Sequence, residues 1–354
     1  MSHPHRAPTT DAPEGEACPV PARYVLIAGH GRSGTNWLLQ LLDRASETHC
    51  RNEPDEIGGN AFERLPSPWV PVPDERAASF SEPWGRAVVE AGARMGERDR
   101  APAVPKRHVP PWVAGTHLVD ALARPRVRRV LAAAVPAWRG REWPRPGRRA
   151  AAGEPLVVLK CNQVPGWARW VLEHDPSGRV LHIVRHPGGF LSSWRRRYVG
   201  ERDEARVLAE NRHRLALVAQ ASPAFAAKMG DVDALDLDHS ELWFWRYAVE
   251  TIDEAGARAT GRYHRVAFEA LAREPVAHAR AIFAWLGLAW TPAIERAVEA
   301  MSRESLGIVA RAAGDLSAHQ RAAIARVLEG SALHGWWSEP EASGAEPSQR
   351  GEAR

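Results

Sequence analysis

The stretch Tyr24-Val-Leu-Ile-Ala-Gly-His-Gly-Arg-Ser-Gly-Thr-Asn-Trp-Leu-Leu-Gln-Leu-Leu42 decides the fold. Tyr24 to Ala28 is an unbroken apolar run, which predicts a strand buried on both faces. Gly29, Gly31 and Gly34 predict a tight turn, and Trp37, Leu38, Leu39, Leu41 and Leu42 the apolar face of a buried helix beginning at Thr35. A strand, a glycine turn and a helix N-terminus in this order converge backbone N–H groups and the helix dipole on an anion. Ser33, Thr35 and Asn36 add side-chain donors, and Arg32 adds a fixed positive charge. The nucleoside triphosphate loop reads G-x-x-x-x-G-K-[ST]. Gly29 and Gly34 keep that spacing, but Thr35 stands where the lysine belongs. The loop therefore predicts a site for an anionic group smaller than a triphosphate.

Outward from this unit, residues 1–22 are rich in Pro, Ala, Thr and Glu and read as a disordered lead-in. Residues 47–56 read as a short polar segment interrupted by Pro54, with Asp55 and Glu56 exposed. Residues 57–154 form an irregular, proline-broken, tryptophan-rich insertion, with short helices expected at 84–95 and 115–123 and an exposed basic loop at 139–149. This insertion is either a substrate wall or a packed cover. Regular structure returns with a strand at 155–160 ending in Lys160, a helix at 164–173, a strand from 179 ending at Arg185, and a helix at 189–199. Helices at 204–220 and 240–256, a strand at 263–268, and helices at 276–286, 292–301 and 316–329 follow, before a loose tail from 339. Strands alternating with helices predict an α/β, P-loop-like fold in three layers, with a central parallel sheet and helices on both faces. Ligands of such sheets bind outside the carboxyl ends of the strands. That rule puts the 29–36 loop, Lys160 and the Arg185-His-Pro turn on one rim.

Composition narrows the function. The 354 residues carry 44% hydrophobic and 25% charged side chains, ordinary for a globular protein. A net charge of +4, scattered along the chain, argues against a nucleic-acid-binding surface while allowing a local basic pocket. Lys106, Lys160 and Lys228 are the only lysines; arginine supplies the remaining cationic residues. Cys18, Cys50 and Cys161 show neither metal-ligand spacing nor a disulfide framework. No apolar run has the length of a membrane span and the start lacks a signal-peptide core, so a cytoplasmic location is expected.

The second informative stretch is Arg185-His-Pro-Gly-Gly-Phe-Leu-Ser-Ser-Trp-Arg-Arg-Arg197. Arg185 leaves a strand end as a rigid fork suited to phosphate, and Ser193 follows eight residues later in the next helix. Alone, the pair could equally be a structural ion pair and an ordinary helix serine. Together with Arg32-Ser-Gly-Thr-Asn-Trp37 it resembles the sulfotransferases that use 3′-phosphoadenosine 5′-phosphosulfate (PAPS). The likeness covers residues 24–56 and 155–305, with Val266-Ala-Phe-Glu-Ala-Leu-Ala-Arg-Glu-Pro275 similar to the family's late strand and helix. The resemblance implies a sulfotransferase domain over 23–338. It implies that Gly31, Arg32, Ser33, Gly34, Thr35 and Asn36 hold the 5′-phosphosulfate and that Arg185 and Ser193 hold the 3′-phosphate. It further implies adenine stacking on Trp37, although a core role competes there, and a phosphate contact from Arg197. Where the tyrosylprotein branch has a nucleotide-contacting tyrosine, this chain has Phe268.

Sulfuryl transfer needs positioning and charge neutralisation, for which Arg32 and Lys160 suit, and a base for the acceptor's proton. Glu53 lies 21 residues after Arg32. The Golgi carbohydrate and tyrosylprotein branches place a base glutamate at a similar separation, and this chain resembles them more closely in that feature and in its loop arginine. His108 and His117 are the alternatives, and His30 sits in the loop where it can simply shape it. The expected acceptor is a hydroxyl, or less favourably an amine, on a small metabolite, glycan or lipid; no metal is called for. A P-loop kinase and a catalytically silent nucleotide-binding module remain as other readings. The missing loop lysine opposes the first, and the presence of Arg32, Lys160 and Glu53 opposes the second.

Overall fold

The computed structural model describes residues 24–96, 142–144, 154–199, 203–312 and 316–336. Its core is a five-stranded parallel sheet: β1 (Tyr24–Gly29), β2 (Thr48–Asn52), β5 (Leu156–Asn162), β6 (Gly178–Val184) and β7 (Tyr263–Ala267), in the spatial order β2-β5-β1-β6-β7. A separate antiparallel pair joins β3 (Arg94–Gly96) to β4 (Glu142–Pro144). The apolar run at 24–28 forms the central strand, hydrogen-bonded on both sides and buried throughout.

Strand alternation divides the core into two layers. Tyr24, Leu26 and Ala28 face α2 (Asp74–Ala93), α3 (Pro165–His174) and α7 (Leu237–Arg258). Val25 and Ile27 face α1 (Thr35–Leu42), α8 (Phe268–Arg273), α9 (Pro275–Leu286) and α10 (Pro292–Ala312). This is the three-layer α/β fold that the strand–helix alternation predicts. A third apolar cluster lies beside the sheet, where α4 (Pro187–Trp194), α5 (Glu204–Ala221), α6 (Pro223–Met229) and α11 (Ala318–Leu328) pack with α7.

Three local expectations change. Residues 47–56 contain the edge strand β2 rather than a purely polar connection. Its polar residues are satisfied inward: Arg51 is buried and donates to Ala91 O at 2.6 Å, and Thr48 Oγ1 donates to Leu42 O at 2.7 Å. The helix expected at 84–95 runs instead over Asp74–Ala93 and includes Pro83. It packs Trp84, fully buried, against Phe62, Phe80, Trp167 and Trp170, while Trp84 Nε1 donates to Tyr24 Oη at 2.7 Å. Much of the described part of the 57–154 segment packs its aromatic side chains against the sheet's helices. The helix expected at 189–199 is α-helical over Pro187–Trp194 and continues as a π-helical turn over Arg195–Val199. The lead-in 1–22, the helix at 115–123, the tail from 339, and His108 and His117 lie outside the described residues. Of the basic loop at 139–149 only Glu142–Pro144 is described, as strand β4 rather than loop.

Candidate active site

The sheet order reverses around β1, and the carboxyl ends of β1, β2, β5 and β6 meet at one rim. Gly34 caps the N-terminus of α1 at φ 102°, and no side chain caps that end. A Cβ at Gly34 would come within 2.7 Å of the Phe268 ring and 2.9 Å of Ile183, so both conformation and space call for glycine. In the first turn of α1, Trp37 N and Leu38 N donate to Gly34 O, which leaves the N–H groups of Thr35 and Asn36 to face the loop without a helical acceptor. Ser33 Oγ, inside the loop, is buried without a hydrogen-bond partner. A loop of this construction, with an orphaned hydroxyl at its centre, suits a phosphate-sized anion.

Two arginines and a serine gather over the loop. Arg185 is buried, donates from Nη1 to Arg32 O at 2.9 Å, and stacks its guanidinium 4.8 Å over the Phe268 ring. Its Nε has no partner. Burial lowers the Arg185 pKa to about 10, with Glu269 opposing that shift and Arg32 and Arg196 adding to it. Arg32 Nε donates to Ser193 Oγ at 3.2 Å. The loop that reads as a 5′-phosphate site and the Arg185–Ser193 pair that reads as a 3′-phosphate site are therefore contiguous. Arg197 lies exposed on the π-helical turn, whose neighbour Tyr198 approaches Gly31. Trp37 is half-buried on the opposite side of α1, against Phe268, Leu271, Ala272 and Ser302, and its Nε1 is unpartnered.

The carboxylate side of the rim is built by β2 and β5. Glu53 N donates to Lys160 O at 2.8 Å, which ends the β2 ladder, and the backbone then turns through φ 51° at Glu53. The Glu53 carboxylate thereby meets the Lys160 ammonium, which is buried and ion-paired with it. Asn162 Nδ2 donates to the same carboxylate oxygen, Oε1, at 2.6 Å, while Asn162 Oδ1 accepts from Thr35 Oγ1 at 3.0 Å. One amide side chain thus joins Glu53 to the phosphate loop. Sequence reasoning passed over Asn162, although strand alternation puts it on the same face of β5 as Lys160.

Beneath the loop lies a buried polar network that the sequence did not disclose. Arg214 of α5 donates to Gln163 Oε1 at 2.8 Å, Asn211 Oδ1 at 2.8 Å and Glu241 Oε2 at 2.7 Å, and stacks 3.9 Å over Phe244. The Gln163 amide nitrogen lies 3.0 Å from His30 Nε2. Burial first, and Arg214 next, lower the His30 pKa well below its usual value, while its Nε2 also lies 3.2 Å from Glu241 Oε1. Arg32, Glu53 and Gln163, at φ 73°, 51° and 56°, are the non-glycine residues in the left-handed region among the described residues, and all three stand on this rim.

Asp55 corrects an expectation. Its Oδ1 is buried and unpartnered rather than exposed, because Pro54–Glu56 folds back as a single turn. Burial raises its pKa to about 7, against a hydrogen bond from the Cys161 thiol and assisted by the charge of Glu56. Between pH 4 and 7 the native carboxyl holds a proton that the unfolded chain has released, so its contribution to stability falls as pH rises through that window. Asp55→Asn is expected to be stabilised relative to the wild type by about 1 kcal/mol or more at pH 8, with the advantage gone near pH 4. Urea denaturation at both pH values measures this; an equal difference at both removes Asp55 as the source.

A P-loop-like sheet with an orphaned hydroxyl in its glycine loop, two rim arginines and a rim carboxylate has the make-up of a site for a phosphate- or sulfate-bearing molecule. A model of the sulfotransferase family matches residues 25–292, and the chain belongs to that family. No curated protein sequence matches the chain. Among solved structures, the chain is similar to a sulfotransferase from Alicyclobacillus acidocaldarius, with 15% identity, 84% of this chain and 99% of that chain covered, and a TM-score of 0.35. It is also similar to the sulfotransferase domain of the curacin biosynthetic pathway (15%; 78% and 77%; TM-score 0.37) and to a sulfotransferase from Mycobacterium tuberculosis (15%; 88% and 76%; TM-score 0.36). No helix among the described residues is long and apolar enough to cross a membrane.

Proposed function

We propose that the chain transfers a sulfuryl group from PAPS to a hydroxyl of a small metabolite, glycan or lipid, with Glu53 as the base. The observation that carries this reading is the Asn162 bridge, which fixes Glu53 against Thr35 of the anion loop. Gly31, Ser33, Gly34, Thr35 and Asn36 hold the 5′-phosphosulfate, Arg185 and Ser193 the 3′-phosphate, and Arg197 adds a phosphate contact from the π-helical turn. Trp37 offers its ring to the adenine. The acceptor oxygen attacks sulfur in line, the bond from sulfur to the 5′-phosphate oxygen breaks, and Glu53 takes the acceptor's proton. Arg32 and the loop amides neutralise the leaving oxygen. Lys160 holds Glu53 in place and carries positive charge to the edge of the sulfuryl site. A loop arginine and a glutamate at this separation support a mechanism like that of the Golgi carbohydrate and tyrosylprotein branches.

Thermal unfolding with adenosine 3′,5′-bisphosphate, compared with ATP plus Mg²⁺, tests the donor. At a hundredfold excess over Kd the bisphosphate should stabilise by about 2.7 kcal/mol. Stabilisation by ATP–Mg²⁺ and none by the bisphosphate overturns the reading in favour of phosphoryl transfer. Asn162→Ala should lower kcat by up to about a hundredfold, because the base drifts from its attack geometry, with bisphosphate affinity nearly unchanged. An unaltered kcat would show that Lys160 alone suffices to hold Glu53.

A further inference from the structure

Away from the rim, two helices that are distant in sequence begin side by side. Asp236 caps α7, its Oδ1 accepting from His239 N at 2.9 Å. The ring Nδ1 of His239 lies 2.9 Å from that same oxygen. His319, in the first turn of α11, brings its Nε2 to 3.0 Å from Asp236 Oδ2. One ligand atom from each of the three residues falls within 4.8 Å of the others, and the two imidazoles meet edge to face at 74°. A cavity of about 370 Å³ adjoins them, lined in part by Asp236, His319, Arg195, Glu204 and Asp238. Three carboxylates against one guanidinium leave that cavity with a negative balance.

We propose that Asp236, His239 and His319 bind one divalent cation of the zinc class. Two imidazoles and a carboxylate are the donor set of zinc and its borderline neighbours; magnesium and calcium prefer all-oxygen shells. Tetrahedral bonds of about 2.0–2.2 Å set ligand atoms roughly 3.3 Å apart. The His319 Nε2–Asp236 Oδ2 separation, 3.0 Å, already stands near that value, while His239 Nδ1 lies 2.9 Å from the other oxygen, Oδ1. The remaining closure is shared between a turn of the Asp236 carboxylate and a shift of His319, whose side chain is 59% exposed. Asp236 Oδ1 keeps its cap on α7 while Oδ2 turns to the metal. Each ring binds through the nitrogen that now faces the carboxylate and carries its proton on the other nitrogen. Water from the adjoining cavity fills the fourth position. The ion would pin the start of α11 to the start of α7, complementing Arg246, which holds the far end of α11 through Val327 O and Glu329 O. The site is separate from the sulfuryl-transfer rim and does not depend on the reading of that rim.

The test uses the full chain, freed of metal by chelator and titrated calorimetrically with zinc chloride, with Co²⁺ absorption as a second readout. The expected result is one equivalent bound, a rise in Tm, and the visible bands of tetrahedral Co²⁺. His319→Ala and His239→Ala should each weaken binding at least tenfold and erase the bands, while the exposed His319→Ala variant keeps the metal-free Tm of the wild type. Absence of uptake by the wild type overturns the proposal. So does uptake that both variants retain at equal affinity, which would put the ion on other groups such as the thiols.

Discussion

Glu53→Gln is expected to cut sulfuryl transfer roughly a hundredfold to ten-thousandfold, the range over which a positioned general base contributes. The amide preserves the shape of the side chain, and its oxygen can still accept from Lys160 and Asn162. It cannot take a proton from an acceptor at neutral pH. Nucleotide affinity should change little, because Glu53 reaches the loop through Asn162 and Thr35 and is assigned no phosphate contact. The substitution also strips the buried Lys160 of its counter-charge, so some loss of Tm is expected. Turnover is therefore compared at a temperature where both proteins are folded, as thermal melts establish. Slow hydrolysis of PAPS to the bisphosphate provides an assay before an acceptor is identified. Near-normal transfer by the variant would remove Glu53 from the base role. A large loss of bisphosphate binding would instead make it a support of the loop.

Arg185→Ala carries the second large effect, on binding rather than chemistry. Its guanidinium is desolvated, stacked on Phe268 and held by the carbonyl of Arg32, so its charge meets a phosphate without first having to be ordered. Removing a buried, charge-assisted contact of this kind costs about 2–4 kcal/mol, or roughly 30- to 1,000-fold in Kd. That loss should fall on adenosine 3′,5′-bisphosphate and largely spare adenosine 5′-monophosphate, which lacks the 3′-phosphate. Calorimetry on both ligands decides the point. Equal losses would mean that Arg185 acts by holding the Arg32 carbonyl, and so the shape of the whole loop.

The parts of this site that sequence discloses are those fixed by local rules. The glycine spacing, the apolar run before it, and a basic residue at a strand end each follow from backbone geometry within about ten residues. Glu53 stands out through the resemblance, by its separation from Arg32, and its carboxylate lies against Lys160 and Asn162 at the rim. What stayed hidden depends on lateral strand pairing. Asn162 reaches both Thr35 and Glu53 only because β5 lies between β1 and β2, an order that no local pattern states. β2 escaped for the opposite reason. His49 and Arg51 break the apolar signature of a strand, yet both are buried and hydrogen-bonded to backbone carbonyls of the segment that covers them. The burial of Asp55 was likewise invisible, since a Pro-Asp-Glu tripeptide reads as surface wherever it occurs.

The left-handed backbone at Arg32, Glu53 and Gln163 has a bearing on how such a chain decays. A residue with a β-carbon held in that region costs about 1 kcal/mol or more, and glycine would largely relieve it. At each of the three positions glycine would also delete a side chain: the loop cation, the rim carboxylate, or the partner of Arg214. At Glu53 and Gln163 that loss outweighs the relief, because buried Lys160 would lose its counter-charge and buried Arg214 an acceptor. Only at exposed Arg32 could glycine raise the melting temperature, at the expense of the loop cation. In a set of descendants of this chain, gain of heat resistance together with glycine at position 32 would mark copies that no longer need the loop cation.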